Sequence, residues 1–83
     1  EEFILVLPYT DKKGSLVVAE SVVDGLITKN ISHDKSPFKK VTASMGIYSI
    51  IPDKDTLFEN VVLEVDKLLY KAKQTGRNRY ESN

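Results

Sequence analysis

Two adjacent carboxylates, Glu1 and Glu2, lie directly before an apolar run that extends from Phe3 to Leu7. Carboxylates at the mouth of a buried strand are a common place for phosphoryl-transfer enzymes to hold Mg²⁺. The pattern therefore predicts a metal site, and a chain that begins at such a point is expected to lack a partner segment. The alternative is that both side chains are solvated, because successive strand residues point to opposite faces.

Two cations, Lys73 and Arg77, are four residues apart at the end of the second predicted helix. This spacing lets both side chains project from one side, and Gly76 between them frees the backbone to turn. Two cations so placed suit a triphosphate. The alternative is that they are ordinary basic residues of a helix C-terminus, which the helix dipole favours.

The composition excludes several other classes of site. The 83 residues contain no cysteine, twelve basic residues that balance twelve acidic ones, and 41% hydrophobic residues. Thiolate and zinc–cysteine sites are therefore excluded, and neither a nucleic-acid partner nor membrane contact by this segment is predicted. The single His33 has no partner at catalytic or ligand spacing, and we interpret it as a surface residue. Cytoplasm is the default location.

Five elements are expected to position these residues. Phe3 to Leu7 is predicted to be a central strand covered on both faces, and a helix is predicted over residues 12–29. A second strand is predicted over Val41 to Ile51, with small residues on one face that let a helix approach closely. A last short strand is predicted over Arg79 to Glu81.

The second helix has the clearest pattern. Thr56 and Glu59 form a capping-box sequence, which predicts that the helix begins there. Apolar residues then recur at helical spacing as far as Ala72. Gly76 is predicted to take the left-handed conformation that ends the helix.

Three blocks of the sequence resemble the GGDEF domain, the catalytic domain of diguanylate cyclases. The blocks occur in the family's order and are spread along the whole chain. The first, Glu1-Glu2-Phe3, resembles the end of the Gly-Gly-Asp/Glu-Glu-Phe motif, and the second, residues 41–46, resembles Val-Thr-x-Ser-x-Gly. The third, residues 66–78, resembles Asp-x-Ala-Leu-Tyr-x-Ala-Lys-x-x-Gly-Arg-Asn. The chain departs from the family in having Val65 and Leu68 where alanines are usual, and in lacking the two glycines and all that precedes them.

The resemblance implies an α+β fold and a partial domain. Residues 1–83 are interpreted as the C-terminal strand–helix–strand–helix–strand half of a GGDEF domain, which is related to nucleotidyl cyclases and polymerase palms and has an antiparallel sheet. The absent half carries the family's other metal-binding aspartate, its guanine-reading residues and its inhibitory site.

The resemblance also implies a role for each candidate residue. Glu1 matches the motif position that binds Mg²⁺ (or Mn²⁺) and helps to deprotonate the ribose 3′-hydroxyl, and Glu2 matches a supporting acidic position. Lys73 and Arg77 match the contacts to the terminal phosphates of GTP. The parent protein is expected to make cyclic di-GMP from two GTP with two domains facing each other, whereas this chain alone is expected to be inactive and to self-associate.

Two other readings of the sequence remain open. One is a non-catalytic GGDEF-like domain that serves as a nucleotide receptor or dimerisation module. The other is a small α+β interaction domain in which the basic helix end has no ligand.

Overall fold

The computed structural model describes residues 2–83, and within that range it contains two helices and two short strands. In chain order these are α1 (Lys12–Lys29), β1 (Met45–Ile47), α2 (Phe58–Gln74) and β2 (Tyr80–Ser82). The fold is therefore mixed helix and strand, as expected. Neither described helix is long and apolar enough to cross a membrane.

Helix α1 has the bounds that the sequence predicts. A carboxylate oxygen of Asp11 accepts a hydrogen bond from the Gly14 amide at 2.8 Å and caps the first turn. At the other end, Asn30 takes a left-handed conformation with φ 46° and ψ 51°. Its amide donates to the Leu26 carbonyl, and asparagine is one of the few residues that adopt this conformation readily.

The prediction of a central strand over Phe3 to Leu7 is wrong for this chain. The segment forms no strand, and no backbone–backbone hydrogen bond joins it to another described residue. Phe3, Ile4, Leu5 and Val6 are 67–85% exposed. An apolar run indicates that a strand would be buried, but a strand exists only where a neighbouring backbone completes the hydrogen bonds.

The antiparallel sheet is also corrected, because β1 and β2 pair in parallel. Their register places Met45 opposite Tyr80, Gly46 opposite Glu81 and Ile47 opposite Ser82. Helix α2 lies between the strands in the chain and carries it back to the starting end of β1, and this crossover is the connection that parallel strands need. Both strands have three residues, so β1 is shorter than the predicted strand and β2 begins one residue later than expected.

The predicted capping box at the start of α2 does not form. Leu57 occupies the cap position without a side-chain hydrogen bond. The Thr56 hydroxyl instead accepts a hydrogen bond from the Asp53 backbone amide at 2.9 Å. It also donates one to the Asp53 carboxylate at 3.2 Å. Thr56 therefore closes the preceding turn, because Asp53 offers both a donor and an acceptor nearby.

The C-terminal end of α2 agrees with the expected use of glycine. The helix ends at Gln74, and Gly76 has a φ of 129°, which other residues rarely adopt. The Arg77 amide donates to the Ala72 carbonyl at 2.9 Å, so the turn folds back on the last helical residues.

The core of the described chain is small and lies between α1, the two strands and α2. Its nearly fully buried residues are Ser15 and Ala19 from α1 and Ala72 from α2. Gly46 on β1 lets α2 approach closely: a Cβ atom built there would lie 2.5 Å from the Leu69 amide nitrogen. The predicted close approach of a helix to the small-residue strand is confirmed.

Candidate functional site

Lys73 lies in the last turn of α2 and is held by a residue from the far end of the chain. Its Nζ atom donates to Oε2 of Glu2 at 3.3 Å, an ion pair between residues 71 positions apart in sequence. The Lys73 side chain is 37% exposed and that of Glu2 is 66% exposed. The structure thus brings together two of the four site residues predicted from the sequence.

The ion pair borders a cavity of about 260 Å³ on one face of α2. Asp66, Leu69 and Tyr70 line it together with Glu2 and Lys73. The four helical members are spaced i, i+3, i+4 and i+7, which places them on one side of an α-helix. The sequence analysis did not predict Asp66, Leu69 and Tyr70 as site residues. They could have been found, because residues three, four and seven positions before Lys73 share its face of the helix.

Arg77 does not line this cavity. Because α2 ends at Gln74, the four-residue spacing from Lys73 to Arg77 does not follow the helix. Arg77 instead has a left-handed backbone with φ 61° and is exposed to solvent. Its contact with a phosphate stays a prediction.

The proposed metal ligand Glu1 lies outside the described residues. Among residues 2–83, no cluster of three or more aspartate, glutamate, histidine or cysteine side chains could hold a metal ion. Glu2 supplies a single carboxylate that is already paired with Lys73, whereas Mg²⁺ prefers near-octahedral oxygen coordination. The described residues therefore do not fit a complete magnesium site.

A second, larger cavity of about 440 Å³ lies between the N-terminal part of α2 and the segment before it. The charged residues that line it are Asp55 and Glu64, both acidic. None of the predicted site residues that the structure describes lines it. A phosphate would meet only negative charge among its described lining residues, so the smaller cavity beside Lys73 is the better candidate despite its size.

The residues that line the smaller cavity are suited to binding an anion. An ammonium group that is partly buried beside a carboxylate can bind an anion if the carboxylate moves away. Pockets for whole small molecules usually measure about 300–1,000 Å³, so a cavity of about 260 Å³ suits one end of a nucleotide rather than all of it.

The sequence matches one protein family and several characterised proteins. The family model described as "Diguanylate cyclase, GGDEF domain" matches residues 1–79. Diguanylate cyclase A of Treponema denticola is 37% identical over 79 residues, which are 95% of this chain and 21% of that protein. Diguanylate cyclase VdcA of Vibrio cholerae is 37% identical over 82 residues, which are 95% of this chain and 23% of that protein.

The chain thus spans about a fifth of the length of these relatives. No solved structure gives a significant match.

Proposed function

The chain belongs to the GGDEF family of diguanylate cyclase domains, and from this premise we propose that the protein containing it makes cyclic di-GMP. Two molecules of GTP condense to one cyclic di-GMP and two pyrophosphates, and the product serves as a bacterial second messenger. The substrate is GTP, and two GGDEF domains facing each other complete the reaction. Family membership and the two cyclases described above support this proposal.

The reaction requires that negative charge on the phosphates of GTP be stabilised. In each half-reaction the 3′-oxygen of one GTP attacks the α-phosphorus of the other, the bond from that phosphorus to the pyrophosphate breaks, and the hydroxyl proton passes to a base. Cations near the β- and γ-phosphates stabilise the negative charge that develops on the leaving group. Lys73 and Arg77 are proposed to supply such cations.

The observation that carries the proposal is the position of Lys73. Its ammonium group borders a cavity and faces Glu2, which belongs to the acidic motif of the family. A phosphate-binding cation and the acidic motif must lie side by side in an enzyme of this kind. Their contact joins two segments that are far apart in sequence.

Glu1 is proposed as the base for the 3′-hydroxyl and as a ligand of Mg²⁺ or Mn²⁺, with Glu2 in a supporting role. These assignments rest on the motif, since Glu1 lies outside the described residues. The residues that are described do not hold a metal by themselves.

Lys73→Met in the protein that contains this chain tests the phosphate contact. Methionine keeps much of the aliphatic length but removes the charge, so GTP binding is expected to weaken at least about tenfold, the cost of losing one charge-assisted hydrogen bond. Guanosine binding should change little. Both ligands can be titrated calorimetrically.

Lys67→Met is the matched control, because Lys67 is also on α2 and also pairs with a glutamate, Glu64, at 3.4 Å. It should leave GTP binding unchanged. Equal losses for GTP and guanosine in the Lys73 variant would indicate a damaged fold and contradict the phosphate contact.

The isolated 83-residue chain is predicted to make no cyclic di-GMP from GTP and Mg²⁺. Its described residues lack a complete metal cluster, and the guanine-reading residues of the family pattern are absent from its sequence. Chromatography of the reaction mixture provides the measurement. Product above a no-protein control would contradict the prediction.

A non-catalytic nucleotide receptor is the second candidate. Such a receptor needs phosphate contacts, of the kind proposed for Lys73, but no activated hydroxyl. The two functions differ in the release of pyrophosphate by the protein that contains this chain. Binding of GTP without pyrophosphate release would support the receptor.

A further inference from the structure

We propose that Glu2 is a resident counter-ion of Lys73, which a phosphate group must displace before it can bind. Glu2 then lowers the affinity of the site for phosphate instead of contributing to it. This inference rests on the proposed function only in taking Lys73 as the phosphate contact. It gives Glu2 a role that differs from a supporting acidic group in the reaction.

The geometry of the ion pair makes exchange feasible. The Nζ to Oε2 distance of 3.3 Å is long for a charge-assisted hydrogen bond. The Glu2 side chain is 66% exposed, and exposed ion pairs contribute little to stability. A more highly charged anion can therefore replace the carboxylate at modest cost.

The charges around the cavity require this replacement. Among the described residues that line it, Lys73 is the one cation, whereas Glu2 and Asp66 are both carboxylates. A phosphate that approached Lys73 with Glu2 still in place would meet like charge within a few ångströms, which is unfavourable. Movement of Glu2 leaves the ammonium free to bind the phosphate.

Glu2 is also attached to a segment that no backbone–backbone hydrogen bond holds to another described residue. This apolar segment, from Phe3 to Val6, follows it directly and is exposed. Moving Glu2 therefore disrupts no described secondary structure. The pair between Glu64 and Lys67 differs in this respect, because both of its members are held by the turns of α2.

Titration of the protein that contains this chain with inorganic pyrophosphate tests the proposal in metal-free buffer of low ionic strength. Glu2→Gln keeps the size of the side chain and removes its charge, and it is expected to tighten pyrophosphate binding about two- to fivefold, the range set by the energy of an exposed ion pair. Lys73→Met should abolish binding at the cavity, which can be followed by amide chemical shifts of α2.

Two matched variants distinguish displacement of Glu2 from a general effect of removing negative charge. Glu64→Gln breaks the other glutamate–lysine pair of α2 and should leave the affinity within experimental error. Asp66→Asn removes one charge from the same cavity and should give a smaller gain than Glu2→Gln.

The outcomes distinguish this inference from the proposed function. Unchanged or weaker pyrophosphate binding in Glu2→Gln overturns the counter-ion role, as does an equal gain in Asp66→Asn. If Lys73→Met binds pyrophosphate like the unmodified protein, the phosphate contact of the proposed function fails. Tighter binding in Glu2→Gln together with loss in Lys73→Met supports both.

Discussion

At the residue scale, Gly46 determines how closely α2 lies on β1. A Cβ atom there would be 2.5 Å from both the Leu69 amide nitrogen and the Val65 carbonyl oxygen. These are backbone atoms of a helix, which cannot rotate away as a side chain can. Even a methyl group at position 46 therefore requires α2 and β1 to separate.

Gly46→Ala is predicted to lower the free energy of unfolding by about 1–3 kcal/mol, the usual cost of overpacking a close contact. Urea denaturation followed by circular dichroism provides the measurement. Gly25→Ala in α1 is the matched control: nothing lies within 4 Å of its added Cβ. It should stabilise the helix by about 0.5–1 kcal/mol. Equal stability of the two variants would contradict the close contact.

The pair formed by Glu2 and Lys73 shows a different property of single residues. Each belongs to a motif that sequence reasoning assigned to the site, but their contact at 3.3 Å was not part of that reasoning. Spacing along the chain relates residues within one helix or strand. It carries no information about a partner 71 positions away.

At the element scale, the two helices begin in different ways. Helix α1 begins with a capped turn, in which the Asp11 carboxylate accepts from the Gly14 amide. Helix α2 begins without a side-chain cap. Helix α2 packs against both strands, whereas α1 packs mainly against β1 and has more exposed residues. Because packing supplies most of the stability of a helix in a protein, we expect α1 to depend more on its cap than α2 does.

Asp11→Ala is accordingly predicted to cost about 1 kcal/mol of stability, as the loss of a helix cap usually does. Asp24→Ala provides the control, since Asp24 is an exposed residue inside α1. Alanine at that position should be neutral or slightly stabilising because of its higher helix propensity. Thermal denaturation of both variants provides the measurement. Equal destabilisation of the two would mean that the Asp11 cap does not stabilise the helix more than an exposed aspartate elsewhere in it.

At the scale of the whole molecule, the chain is more open than a compact domain. Its radius of gyration is 13.9 Å, against about 12 Å for a compact domain of 83 residues. Its accessible surface is 6,702 Å², about 1,700 Å² more than a folded monomer of this mass usually exposes. A stable protein–protein interface covers about 800 Å² on each partner, so the excess is large enough for one.

The isolated chain is therefore predicted to self-associate at micromolar concentration through the exposed segment from Phe3 to Val6. Unpaired backbone groups and apolar side chains together favour pairing with another chain. Sedimentation velocity should detect dimers or larger species. The double variant Ile4→Lys, Val6→Lys should sediment as a monomer.

Ile51→Lys is the control, because Ile51 is 96% exposed but lies in a different segment. It should leave association unchanged. A monomeric unmodified chain with well-protected amides in Phe3 to Leu7 would contradict the prediction, since it would show that the segment is covered within a single copy.

The sequence by itself was sufficient for properties that depend on neighbours along the chain. The start of α1 follows from a capping aspartate and its extent from apolar residues at helical spacing, all within one segment, whereas the role of Asn30 at its end became apparent only in the structure. Family membership follows in the same way from blocks of adjacent residues, the longest of which lies on α2 and reaches Asn78.

Features that depend on contacts between distant segments became apparent only in the tertiary structure. An apolar run such as Phe3 to Leu7 becomes a strand only if another backbone pairs with it, and within residues 2–83 none does. The parallel pairing of β1 and β2 and the contact of Glu2 with Lys73 likewise depend on where α2 places its neighbours. The energies that select these arrangements act between atoms that are remote in sequence and adjacent in space, so spacing along the chain does not reveal them.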